Sequence, residues 1–120
     1  MACEVEFTDE FEAWWGTLDE DEQDAVARVV RLLEEKGLTL SHPYSSGVEG
    51  STFSHMRELR IQHRGRPYRV LYAFDSRRIA LLLIGVDKTG QDRWYEQIIP
   101  VADRIYQEHL KAISKEVDNG

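Results

Sequence analysis

The stretch MRELRIQHRGRPYRVLYAF, Met56 to Phe74, decides the fold. Leu59 and Ile61 alternate with Glu58 and Arg60, and after HRGRP the alternation resumes, Val70, Tyr72 and Phe74 against Arg69, Leu71 and Ala73. A period of two places alternate side chains on opposite faces of a strand. A short glycine-bearing turn between two such runs predicts an antiparallel ribbon. The stretch holds five arginines and one acid. Alternation sends Arg60 and Arg69 to one face of the ribbon and Leu59, Ile61, Val70 and Tyr72 to the other.

Outward from the ribbon, DSRR is a second turn, and IALLLIG is apolar on both faces, as a central strand is. The loop VDKTGQD leads into a last helix whose inner side carries Trp94, Ile98, Val101, Ala102, Ile105 and Leu110. Pro100 falls inside that pattern and either kinks the helix or starts a second one. Upstream, CEVEFT alternates as a short strand, and Thr8 can cap a helix bearing Phe11, Trp14, Trp15 and Leu18 at one-face spacing. At that spacing the two tryptophans read as core. Asp19 and Glu22 form the signature of a capping box for a second helix, which buries Val26, Val29, Val30 and Leu33 and stops at Gly37. LTLSHPYSSGVEGST reads as a loop. The expected architecture is α+β: a twisted antiparallel sheet, the helix pair Asp9–Lys36 on one face, a C-terminal helix, and one domain over residues 1–120.

Charge is divided unevenly. The chain totals −7, yet residues 1–50 carry −10 and residues 51–93 carry +5. Exposed charges farther apart than about 8 Å are largely screened at physiological salt, so an acidic protein can still present a local phosphate-binding face. No apolar run is long enough to span a membrane, and the acidic MACEVEFTDEFEAWW is unlike a secretory leader; a cytoplasmic protein is expected. The single cysteine, Cys3, offers neither a disulfide nor a CxxC pair and reads as a small residue beside the first strand.

FEAWWGTLDEDEQDAV, LEEKGLTLSHPYSSGVEGSTFSHMRELRI and YRVLYAFDSRRIALLLIGVDKT follow one another in an order that resembles the HigB-type toxins of the RelE/ParE toxin–antitoxin superfamily. The most telling pieces are ELR at Glu58–Arg60, YRVLY at Tyr68–Tyr72, and the Gly-x-x-Lys-Thr loop at Gly85–Thr89. The resemblance implies a microbial ribonuclease-like fold and cofactor- and metal-independent cleavage of messenger RNA on the ribosome, inhibiting translation. It implies a helix-turn-helix, HigA-like antitoxin as partner. Attack by a ribose 2′-hydroxyl needs a base, cations for the phosphorane and an acid for the leaving 5′-oxygen. Arg60, Arg69 and Lys88 match the family's basic positions, and Arg93 and Tyr95 lie where relatives place a catalytic aromatic or histidine. None of the four histidines falls between Lys88 and Tyr95, so Glu58 and Tyr95 are the candidates for the base. Arg57, Arg64, Arg66 and Arg93 are expected phosphate contacts. Arg77 and Arg78 read as plain turn charges.

Two other functions suit the same fold. One is a ParE-like poison of DNA gyrase. The other is a degenerate, non-catalytic interaction module. Convergent cations on one strand face favour the nuclease.

Overall fold

The computed structural model describes residues 2–90 and 93–119, the last four as backbone alone. The chain runs β1 (Val5–Phe7), α1 (Asp9–Trp15), α2 (Glu20–Lys36), a 3₁₀ turn (Gly37–Thr39), β2 (Ser45–Gly47), β3 (Arg57–His63), β4 (Arg66–Phe74), β5 (Ala80–Asp87) and α3 (Trp94–Asn119). The strands form one sheet in the order β1-β5-β4-β3-β2. The ribbon register pairs Leu59 with Val70 and Arg60 with Arg69. Arg64 and Gly65 both have positive φ, 51° and 77°, which is the two-residue hairpin turn whose twist matches that of its strands.

The sheet departs from the sequence expectation in two places. β1 runs parallel to β5, because the helix pair carries the chain across a face before it returns. Ser45–Gly47, inside the expected loop, pairs antiparallel with Arg57–Leu59. Two serines and a glycine carry no alternating hydrophobic signal; pairing with β3 makes this strand.

Helix starts follow their capping residues. Thr8 Oγ1 accepts from the Phe11 amide at 3.1 Å and donates to the Leu83 carbonyl at 2.7 Å, tying α1 to β5. Asp19 and Glu22 close the capping box at 2.8 and 2.9 Å. The other Glu22 carboxylate oxygen accepts from the Tyr68 hydroxyl, so the start of α2 is bonded to the middle of the sheet.

The sheet separates two cores. Leu59, Ile61, Val70 and Tyr72 pack with Phe11, Val26, Val29 and Leu33 of α1 and α2, as the ribbon's alternation requires. Leu71, Ala73, Leu81 and Leu83 pack with Trp94, Ile99, Ala102, Ile105 and Tyr106 of α3. α3 continues through Pro100 as one helix, resolving that alternative. Gly85 faces α1, where a Cβ would lie 2.2 Å from the Trp14 ring, so only glycine lets the helix sit this close to β5. No described helix is long and apolar enough to cross a membrane.

α3 is also held by a buried carboxylate. Asp75, whose side chain is fully enclosed, accepts from Arg77 at 2.7 Å and from His109 of α3 at 3.1 Å. Arg77 also reaches Glu6 at 2.9 Å. Arg77 is therefore part of a structural ion cluster, and the plain-turn-charge reading is corrected. Burial pushes the Asp75 carboxyl up, but hydrogen bonds from Arg77, His109 and the Ile79 and Arg77 amides outweigh it and hold the group below its ordinary value. A depressed carboxylate contributes stability above its unfolded-state value and loses it as pH falls through the folded-state value. Asp75→Ala is expected to cost about 3 kcal/mol near neutrality, and denaturant unfolding should show the gap to wild type closing only at acid pH.

Candidate active site

Where β3, β4 and the start of α3 meet, the α3-facing side of the sheet carries charge instead of apolar side chains. Glu58 and Arg60 come from β3 and Arg69 from β4; Tyr95 comes from the first turn of α3. The cross-strand pairing of Arg60 with Arg69 sets two like charges side by side, an arrangement that destabilises a sheet unless a counter-charge lies between them. Glu58 is that counter-charge. Its carboxylate is 2 % exposed. It lies 3.3 Å from the Arg60 guanidinium and 3.8 Å from that of Arg69.

The Tyr95 hydroxyl donates to the same carboxylate, 2.7 and 2.9 Å from its two oxygens. Ser46, in the β2 strand that the loop reading concealed, donates to it at 3.2 Å. Burial raises the Tyr95 phenol above its ordinary value; the hydrogen bond and charge of Glu58 add to the rise, and Arg69 opposes it. Tyr95 thus stays protonated at neutral pH and keeps a proton to give or pass on. Lys88 follows β5, its backbone amide bonded to the Pro67 carbonyl at 2.8 Å. Its ammonium sits 4.9 Å from the centre of the Tyr95 ring, a cation–π contact that brings a further positive charge to the same corner.

The cations differ in accessibility. The Arg60 side chain is 34 % exposed. Arg69 is 7 % exposed and spends one guanidinium N–H on the Tyr68 carbonyl at 2.9 Å, while its Nε has no hydrogen bond. Arg60 can meet a ligand from solvent. Arg69 is turned inward to Glu58.

The expected phosphate contacts are not gathered into this cluster. Arg57 opposes Tyr72 and bonds Ser45 Oγ at 3.0 Å on the helix-pair face, so the strand's own alternation turns it away from Arg60. Arg64 lies in the hairpin turn and pairs with Asp21 of α2 at 2.8 Å. Arg66 lies 3.8 Å from Asp87. Arg93 is exposed just before α3. Nor does a histidine touch Glu58 among the described residues: His55 bonds Tyr106, and His109 bonds Asp75. The described residues hold no group of three histidine, cysteine or carboxylate side chains arranged for a metal. The assembled parts are a shielded carboxylate, a phenol bonded to it, and one open and one buried guanidinium. Together they can accept a proton and meet negative charge.

Comparison with known proteins places these residues in context. Residues 13–107 match the family described as phage-derived protein Gp49-like. The chain is 44 % identical over 94 residues to the candidate toxin HigB3 of Mycobacterium tuberculosis, covering 78 % of this chain and 81 % of that one. It is 38 % identical over 100 residues to the candidate toxin HigB2 of the same organism, covering 82 % of this chain and 50 % of that longer one. Among solved structures, the toxin–antitoxin complex RelBE2 of M. tuberculosis contains a chain similar to this one with a TM-score of 0.55 and 18 % identity, over 72 % of this chain and 99 % of that one. At that identity the likeness is one of fold.

Proposed function

The chain belongs to the Gp49-like family and is a HigB-type member of the RelE superfamily, and from that premise we propose that it is the toxin of a type II toxin–antitoxin system, cutting messenger RNA on the ribosome as a metal-independent endoribonuclease. The observation that carries this reading is the buried Glu58, bonded to Tyr95 and flanked by Arg60 and Arg69. A carboxylate 2 % exposed cannot touch a ribose directly. Tyr95 can: its oxygen accepts the 2′-hydroxyl proton while its own proton passes to Glu58, and the freed 2′-oxygen attacks the adjacent phosphorus. Arg60 and Lys88 meet the charge that develops on the phosphorane oxygens. Arg69 is a positioning residue, holding the Glu58 carboxylate in place. The site residues supply no dedicated acid for the leaving 5′-oxygen beyond the Tyr95–Glu58 pair, whose proton is returned as the bond breaks.

The test is translation in a purified system with added protein, followed by mapping of RNA 5′ ends. Cuts within ribosome-bound message, absent from naked RNA, support the reading. Intact message with arrested gyrase supports the ParE-like alternative, and neither effect supports a module without catalysis.

The partner proposed is a HigA-like antitoxin. Its acidic or amphipathic segments suit the basic corner by complementarity of charge. A complex that leaves Arg60, Lys88 and Tyr95 open and correctly arranged counts against neutralisation by covering.

Binding should also report the phosphate contacts. Affinity for single-stranded RNA is expected to fall with rising salt, the log–log slope losing about 0.7 for each phosphate contact removed. Arg60→Ala should lower the slope by about that amount in a filter-binding titration, and Lys111→Ala, exposed on the far part of α3, should not.

A further inference from the structure

β2 covers only the first half of β3, Arg57–Leu59, and Tyr44 then accepts the Arg60 amide at 2.9 Å before the chain turns away. Among the described residues no strand lies outside Ile61–His63. In that gap, between the end of the sheet and α2, lies a groove of about 730 Å³. Its lining contains four arginines and two histidines and not one carboxylate. Three of these arginines have carboxylate partners outside the lining, Arg64 with Asp21 and Arg60 and Arg69 with Glu58, but the surface turned to the groove is cationic and suits an anionic ligand.

The groove has the other features of a nucleotide site. Its inner end is Arg60 and Arg69, so it is continuous with the candidate active site. Its outer rim carries Tyr44, 44 % exposed, beside His42. Its floor of Val29, Leu32 and Pro43 is apolar, as a base face requires. Arg28 of α2 borders it, exposed and without an ion pair among the described residues. Two buried nitrogens along the groove have no hydrogen-bond partner, Nε of the 6 % exposed Arg69 and Nε2 of His63. A volume in the range of about 300–1,000 Å³ accommodates a ligand the size of a nucleotide. An acidic peptide suits the charge, but the open edge is three residues long, and two of those, Ile61 and His63, face β4 in the ladder that Arg60 alternates with. That is too short for a strand to add on.

We propose that this groove is a nucleotide subsite: it holds the RNA residue next to the one whose phosphate lies on Arg60, with the base stacked at Tyr44 and the flanking phosphate on Arg28. The proposal rests on the nuclease reading and extends it, since a base enclosed beside the cut makes cleavage depend on the identity of that base. Stacking accepts any base; the exposed Gln62 amide, which also lines the groove, discriminates by hydrogen bonding to its edge.

The experiment uses the full chain and a short RNA methylated at every 2′-oxygen, which binds but cannot be cut, observed by NMR. The Tyr44 and His63 ring signals should shift on titration. Tyr44→Ala and Arg28→Ala, both surface changes, should each weaken binding roughly tenfold, and Gln62→Ala should reduce the difference in affinity between oligonucleotides that vary at one base. Shifts confined to Tyr95 and the Arg60 side chain overturn the subsite and leave the nuclease reading standing. Shifts at Tyr44 and His63 in a protein that never cuts message uphold the subsite and remove the nuclease. An acidic peptide that moves the two rings where the RNA does not overturns it in favour of a protein partner.

Discussion

Tyr95→Phe is expected to lower cleavage of ribosome-bound message by about a hundred- to ten-thousandfold, the range for losing proton transfer in the transition state. The substitution removes one oxygen and leaves the ring under Lys88 and against Trp94, whose ring centroid is 4.0 Å away. Glu58 keeps Arg60, Arg69 and Ser46 as partners. Stability should therefore drop by only about 1.5–3 kcal/mol, the net worth of one hydrogen bond to a charged group. Glu58→Gln should lose a similar factor in rate, because an amide cannot take the proton. It should cost more stability, because Arg69 is then a buried charge without its counter-ion. The double variant decides the matter. If phenol and carboxylate act as one relay, removing both is little worse than removing either. Losses that multiply would mean two independent roles and end the relay. The pH profile gives a second check. A relay through Tyr95 needs the phenol protonated, and that group is held above the ordinary tyrosine range, so activity should persist on the alkaline side and fall only as pH rises through that raised value.

The parts of this fold visible in the sequence are those with strong local signals. Thr8, Asp19 and Glu22 announce helix starts because capping is a matter of three or four adjacent residues. The ribbon and its two faces follow from alternation between Glu58 and Phe74. β2 was not legible, since Ser45, Ser46 and Gly47 have no pattern of their own and are held by Arg57–Leu59. The parallel placement of β1 depends on where two helices pack, which no local pattern encodes. Gly85 was visible as part of a loop motif, but its need to be glycine arises from Trp14, about seventy residues earlier, and a tertiary contact of that kind leaves no mark in its neighbours. The site was legible to the same depth. Alternation put Glu58, Arg60 and Arg69 on one face, and they meet there. Alternation also sends Arg57 to the opposite face, a consequence that its place among the arginines obscured. Among the described residues, Ser46 joins the cluster unannounced. What a strand pattern cannot supply is depth: Arg60 and Arg69 look equivalent as sequence, and burial separates them.

That difference in depth predicts different outcomes for two arginines that face each other. Arg60→Ala should leave the fold intact and lower cleavage by about ten- to a thousandfold, the scale of losing one charge contact in the transition state. Its guanidinium is one-third exposed, and Glu58 retains Tyr95, Ser46 and Arg69 without it. Arg60→Lys should restore part of the rate, because an ammonium supplies charge but not the planar fork that fits two phosphate oxygens. Lys88→Ala should cost about tenfold, since its ammonium, seated over the Tyr95 ring, supplies charge without a planar fork. Arg69→Ala behaves otherwise. It leaves a buried carboxylate with one partner fewer, so Glu58 is no longer held in place against Tyr95. Cleavage should fall by at least as much as for Arg60→Ala, with a loss of stability of about 3 kcal/mol measured in denaturant. Arg69→Lys, which restores a positive charge beside Glu58, should recover most of the stability and only part of the rate. Lys111→Ala is the control. If Arg69→Ala keeps full stability and loses only as much rate as Arg60→Ala, both arginines touch the phosphate and the positioning role of Arg69 is wrong.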